Sequence, residues 1–113
     1  MNRFFISAAH KSSGKTTVSI GLAAALSKRG LRVAAFKKGP DYIDPMWLRL
    51  ASGHSVWNLD FFTMSREEML TCFRRESKDA EIALVEGNKG LHDGLDVDGS
   101  DSSAALANVL GCP

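Results

Sequence analysis

The chain has 113 residues, 44% of them hydrophobic, which suits one domain with one core and excludes a disordered tail. Fourteen Lys and Arg residues against thirteen Asp and Glu leave a net charge of +1, so bulk electrostatics favour neither nucleic acid nor an anionic membrane, and any anion must be bound locally. Cys72 and Cys112 are too few and too far apart for a disulfide framework, and neither has a Cys or His at metal-ligand spacing; both are expected as buried thiols in a reducing cytoplasm.

The first element in chain order is a buried strand at residues 3–8. It is preceded by polar Asn2 and Arg3, and no apolar run approaches about 18 residues, so neither a signal peptide nor a membrane span is expected. Residues 9–17 then read A-H-K-S-S-G-K-T-T. The phosphate-loop pattern, Gly, four residues, then Gly-Lys-Ser/Thr, is kept at Gly14, Lys15 and Thr16, with Ala9 in place of the first Gly. At such a strand-to-helix turn, unpaired backbone N–H groups and the positive end of the helix dipole converge on one point. Lys11, Ser12, Ser13, Gly14, Lys15, Thr16 and Thr17 are therefore the nucleotide-binding candidates, with Lys15 on the β/γ-phosphates and the Thr16 hydroxyl on Mg²⁺. Gly14 is expected to let the backbone approach the anion, where a Cβ would intrude.

A helix over residues 16–29 carries an apolar stripe of Val18, Leu22, Ala25 and Leu26 and stops at Gly30. Residues 31–36 form a second strand, and strand, phosphate loop, helix and strand are complete by residue 36. Asp44 before Pro45 predicts an N-cap and a first-turn proline, with Gly53 closing a short helix that carries Met46, Trp47, Leu48 and Leu50. Ser65 and Glu68 form a capping box that opens a helix to about residue 78, whose Arg66, Glu67, Arg74, Arg75 and Glu76 make a solvated face. A third strand over residues 80–85 leads to Glu86 and Gly87, and residues 102–110 form a last helix. The expected fold is α/β and P-loop NTPase-like: a mostly parallel sheet of about three strands flanked by helices. So small a sheet is incomplete, and residues 1–113 are expected to be one portion of a longer ATP-binding domain.

Ligands of parallel α/β sheets sit past the carboxyl ends of the strands, and three segments end there. The phosphate loop is one. The second, F-K-K-G-P-D-Y-I-D-P from Phe36, supplies Lys37 or Lys38 to offset γ-phosphate charge, Lys37 being the catalytic candidate and one of the two expected to be simply solvated. Its Asp41 completes the metal site or faces the acceptor, while Asp44 is explained as a helix cap. The third, V-E-G-N-K-G-L-H-D-G from Val85, puts Glu86 where a carboxylate holds or orients Mg²⁺ and brings Asp93 back over the cavity. Asp96, Asp98 and Asp101 lack the EF-hand register and read as a solvated loop. His10, His54 and His92 share no metal-like spacing, and Trp47, Trp57 and Phe61 read as core or acceptor-pocket wall.

Together with N-L-D at residues 58–60, these motifs resemble the amino-terminal part of the cobyrinic acid a,c-diamide synthase family, whose relatives amidate other tetrapyrroles. The likeness covers the whole chain and about a quarter of such an enzyme. It implies that ATP phosphorylates a tetrapyrrole carboxylate and that ammonia, released from glutamine by a glutaminase domain absent from this chain, displaces the phosphate. By position it implies a triphosphate cradle at residues 12–17, Mg²⁺ ligands at Thr16 and Glu86, with Asp41, and Asp41, Tyr42 and Asp93 at the substrate and metal end. Lys89 and His92 depart from the family's usual apolar residue and Tyr. The resemblance leaves room for a homodimer, and an isolated piece of this length is expected to be inactive. Two rivals fit less well. A partition-type ATPase switch carries a signature lysine where this chain has His10, and dethiobiotin synthetase lacks G-P-D-Y-I-D-P. An inert nucleotide-binding module is the third alternative.

Overall fold

A computed structural model describes residues 2–7, 14–39, 44–87 and 102–112. Strand β1 (Asn2–Ile6) is followed by helix α1 (Lys15–Lys28), β2 (Val33–Lys38), α2 (Asp44–Ser52), β3 (Val56–Leu59), α3 (Arg66–Glu76), β4 (Ile82–Glu86) and α4 (Ser103–Leu110). The strands form one parallel sheet in the order β1-β4-β2-β3. Successive parallel strands need crossover connections, and α1, α2 and α3 lie in them.

The sheet is one strand wider than the sequence reading expected. V-W-N-L at residues 56–59 pairs with β2 from Ala35↔Val56 to Lys38↔Leu59. Strand β2 starts and ends two residues later than expected: its ladder with β4 runs from Val33 to Lys37 and that with β3 reaches Lys38, and both lysines are buried, at 2% and 7% exposure. Neither is the solvated lysine the sequence suggested.

Alternation along the strands divides the core between the two faces of the sheet. Val33, Ala35 and Leu84 pack with Ala23 of α1 and Leu48 of α2 on one face. Ala34, Phe36, Ala83 and Val85 pack with Met69, Cys72 and Phe73 of α3 and Leu106 and Leu110 of α4 on the other. The Phe36 and Phe73 rings lie 4.9 Å apart between centroids.

Helix α1 seats differently from the expected stripe. Ser19 and Ala23 are its buried residues, and Val18 is 57% exposed. Small side chains let α1 lie close to the sheet, while Ile20, Leu22 and Leu26 pack at the side of the cluster shared with α2. On α2 only Leu48 of the four apolar residues is fully buried; Met46, Trp47 and Leu50 face outward, and Trp57 on β3 is likewise exposed, so neither tryptophan is a core residue. The capping box is present as read: Ser65 accepts from the Glu68 N–H, and the Glu68 carboxylate accepts from the Ser65 N–H. Cys72 is buried and Cys112 half-buried, both as thiols. Among the described residues, no helix is long and apolar enough to cross a membrane.

Candidate functional site

Strand β4 lies between β1 and β2, and its last residue, Glu86, is in register with Ile6 on one side and Lys37 on the other. The phosphate-loop strand, the carboxylate strand and the lysine strand therefore end side by side. Lys37 has the same alternation as Val33 and Ala35, and Glu86 the same as Leu84, so both point to the α1 face; Lys38 belongs to the opposite set. Sheet parity is what separates the two lysines.

Helix α1 completes the cluster. Its N-cap is Gly14, at φ +91°, in the left-handed region that favours glycine. A Cβ at Gly14 would meet nothing within 4 Å, so backbone conformation rather than crowding among the described atoms is what calls for glycine there. Among the described residues no side-chain hydrogen bond caps this end and no acidic residue occupies the first turn, and the positive end of the dipole falls at Lys15, Thr16 and exposed Thr17, which suits an anion. The Thr16 hydroxyl donates to Glu86 Oε1 at 2.9 Å. Lys37 Nζ donates to the same oxygen at 3.3 Å and to the Gly87 carbonyl at 2.8 Å. The Lys37 and Glu86 side chains are 3% and 0% exposed. Removing one member of a buried pair leaves an uncompensated charge and costs about 3–5 kcal/mol.

This donor set fits a magnesium nucleotide. Mg²⁺ takes hard oxygen ligands, binds through one or two protein groups with phosphates and waters filling the rest, and at bonds of about 2.0–2.1 Å holds adjacent oxygens about 2.9 Å apart. Thr16 and Glu86 bring a hydroxyl and a carboxylate oxygen, both hard ligands, into hydrogen-bond contact at 2.9 Å.

Two glycines of the quoted motifs hold the strand ends together. Gly87 donates its N–H to the Ile6 carbonyl at 2.8 Å, and Gly39 donates to the Leu59 carbonyl at 3.0 Å. A Cβ on Gly39 would lie 2.8 Å from the Asn58 Cβ, which ties the G-P-D motif to N-L-D across the β2–β3 pair. Asp60 of N-L-D is 5% exposed and builds a turn: its carboxylate accepts from the Phe62 N–H at 3.0 Å and the Thr63 hydroxyl at 3.2 Å. The structure thus brings Thr16, Lys37 and Glu86 together at the start of α1, whose N-cap is Gly14 and whose first residue is Lys15. Lys11, Ser12, Ser13, Asp41, Tyr42 and Asp93 lie outside the described residues, as do His10 and His92. The Gly87 carbonyl is the site group that residue-type reasoning missed, because a backbone acceptor leaves no signal in sequence.

The profile of the CobQ/CobB/MinD/ParA nucleotide binding domain matches residues 5–99. The chain belongs to that family. Its relatives include the cobyrinate a,c-diamide synthase of Magnetococcus marinus, 60% identical over 111 residues that make up 98% of this chain and 24% of the relative. The synthase of the same name from Dehalococcoides mccartyi is 47% identical over 112 residues, again 98% and 24% of the two chains. That from Picrophilus torridus is 46% identical over 114 residues, covering the whole of this chain and 26% of the other. The chain therefore spans about a quarter of the length of the curated relatives it matches. The resemblance read from G-P-D-Y-I-D-P and V-E-G-N-K-G-L-H-D-G is borne out by these relatives, and the four parallel strands with flanking helices agree with the expected P-loop type of fold.

Proposed function

We propose that this chain supplies the ATP-binding part of a ligase that activates a tetrapyrrole side-chain carboxylate as an acyl phosphate for amidation. The observation that carries the reading is the contact of Thr16 with Glu86 at 2.9 Å, where the carboxyl end of β4 meets the start of α1. Cobyrinate a,c-diamide synthase is the name of relatives up to 60% identical, and it supports the substrate class.

In this reading residues 12–17, with Lys11 beside them, cradle the triphosphate, and Lys15 reaches its β/γ end. Thr16 and Glu86, with Asp41, would hold Mg²⁺, which offsets phosphate charge when bound. Asp41, Tyr42 and Asp93 lie at the acceptor end. The substrate carboxylate oxygen attacks the γ-phosphorus as the bond to ADP breaks, so no protein nucleophile is needed. Ammonia, released from glutamine by a glutaminase domain elsewhere, then attacks the acyl carbon; phosphate leaves and the nitrogen loses a proton. The protein positions two anions that repel and offsets their charge. The reaction belongs to the cytoplasm, where ATP and glutamine are available.

The test is to incubate the intact protein with Mg²⁺, ATP and cobyrinic acid, with hydroxylamine in place of ammonia. A hydroxamate formed in step with ADP, and lost in Lys15→Ala, is expected. ATP hydrolysis that neither responds to the tetrapyrrole nor yields hydroxamate would overturn the proposal.

A further inference from the structure

We infer that Met46, Trp47 and Phe62 form an apolar wall for the body of the acceptor, a broad, largely apolar ring that carries carboxylates on its rim. The inference rests on the tetrapyrrole reading of the acceptor and adds where the ring sits.

The two ends of the sheet differ in what they show to water. Helix α2 follows β2, so its first turn stands at the carboxyl end of the sheet, where ligands of parallel α/β folds bind. Among the described residues, that end exposes Met46 (52%) and Trp47 (47%) in the first turn of α2, and Phe62 (63%) just past the neighbouring strand β3. The opposite end exposes Lys28, Arg29, Arg32, Lys78, Asp79 and Glu81. Single apolar groups scattered over a surface are ordinary, but three large ones at the ends of two adjacent strands, on the ligand side, mark a binding face.

The turn after β3 also holds Phe62 outward. The buried Asp60 carboxylate accepts from the Phe62 N–H and the Thr63 hydroxyl, and the Asp60 carbonyl accepts from the Met64 N–H at 2.9 Å. Phe61 and Met64 pack against the core, and the Arg66 guanidinium lies 5.5 Å from the centre of the Phe61 ring. Two of the three apolar residues of this turn face inward, and Phe62 stands in water on a fixed frame. An aromatic ring presented in this way has little freedom left to lose when a ligand covers it.

The chemistry of this rim is divided as such an acceptor requires. The start of α1, with Thr16 and Glu86, suits the charged nucleotide, whereas the ends of β2 and β3 offer aromatic and thioether groups. Arg49, exposed on α2, lines one groove with Met46, so a cation stands beside the apolar wall. The wall covers the ring, and the cation meets a rim carboxylate that is not being phosphorylated.

The test titrates cobyrinic acid calorimetrically into the intact protein holding Mg²⁺ and a non-hydrolysable ATP analogue. It compares the parent with Phe62→Ser, Trp47→Ser, Phe62→Leu and Trp57→Ser, the last an exposed tryptophan on the body of β3 and outside the wall. All four positions are exposed, so the fold should survive each change, which circular dichroism checks. Phe62→Ser and Trp47→Ser should each weaken binding of the ring by about tenfold or more, the scale of uncovering one large apolar side chain. Affinity for the nucleotide analogue should stay within twofold. Phe62→Leu should recover most of the loss, and the heat-capacity change of ring binding should become less negative in Phe62→Ser, because less apolar surface is buried. Unchanged affinity for the ring in folded Phe62→Ser or Trp47→Ser would overturn the inference and leave the acceptor reading standing. An equal loss in Trp57→Ser would also overturn it, since the face would then be a broad apolar surface covered by another part of the polypeptide or by a second copy. A parent protein that binds the nucleotide and not the tetrapyrrole would remove the acceptor reading itself, and this inference with it.

Discussion

Gly87 and Ser103 approach so closely that a Cβ added to Gly87 would lie 2.7 Å from Ser103 Oγ and 2.8 Å from a Phe5 ring carbon. The end of β4 is thereby packed against the start of α4 and the side chain of β1. Gly87 is also the residue whose carbonyl Lys37 holds and whose N–H reaches Ile6. Gly87→Ala must push Ser103 or Phe5 aside in a buried region, and overpacking of this kind costs about 1–3 kcal/mol. Urea unfolding should show a lower midpoint with an unchanged slope. A variant as stable as the parent would mean that the strand end yields freely.

The Ser65 capping box gives a prediction with a pH sign. Backbone and side-chain hydrogen bonds from Ser65 hold the Glu68 carboxyl below the ordinary glutamate range. A group whose folded pKa is depressed contributes stability above its unfolded pKa and loses it as pH falls through the folded value. Ser65→Ala should cost about 1 kcal/mol at neutral pH. The difference between parent and variant should shrink as the solution is acidified below the glutamate range. A difference constant over that interval would contradict the reciprocal cap.

Cys72 tests the α3 face of the core. Burial pushes its thiol pKa up, against a smaller opposing effect of Arg75, and the thiolate is the reactive form. Iodoacetamide should modify Cys72 at least on the order of tenfold more slowly in the folded protein than in urea, as followed by mass spectrometry of its peptide. Equal rates would place the thiol at the surface.

Much of this arrangement was legible in the chain itself, and the omissions have physical causes. Gly-Lys-Thr after an apolar strand, Glu86 at the end of another, and the Ser65/Glu68 box each rest on local rules that packing did not overturn. Strand β3 was missed because four residues with one aromatic and one buried leucine carry little periodicity, and its stability comes from pairing with β2. The burial of Lys37 and Lys38 was missed for a related reason: pairing with β4 carries β2 to Lys37 and pairing with β3 carries it to Lys38, and neither partner is visible locally. The stripe on α1 was misplaced because the helix presents Ser19 and Ala23 to the sheet, and close packing favoured small residues over the larger apolar ones that mark a stripe in sequence. Asp60 was read as part of a motif, whereas its carboxylate shapes the turn after β3.

The most direct test of a magnesium nucleotide at Thr16 and Glu86 is a crystal structure of the intact protein with Mn²⁺ and a non-hydrolysable ATP analogue, read from the anomalous signal of the metal. The account predicts a single nucleotide-bound metal in contact with Thr16 Oγ1 or the Glu86 carboxylate, at about the 2.0–2.1 Å typical of Mg²⁺ or slightly longer, with the triphosphate on the start of α1. A metal and triphosphate bound away from both residues, for instance at the opposite end of the sheet near Arg32, would contradict it.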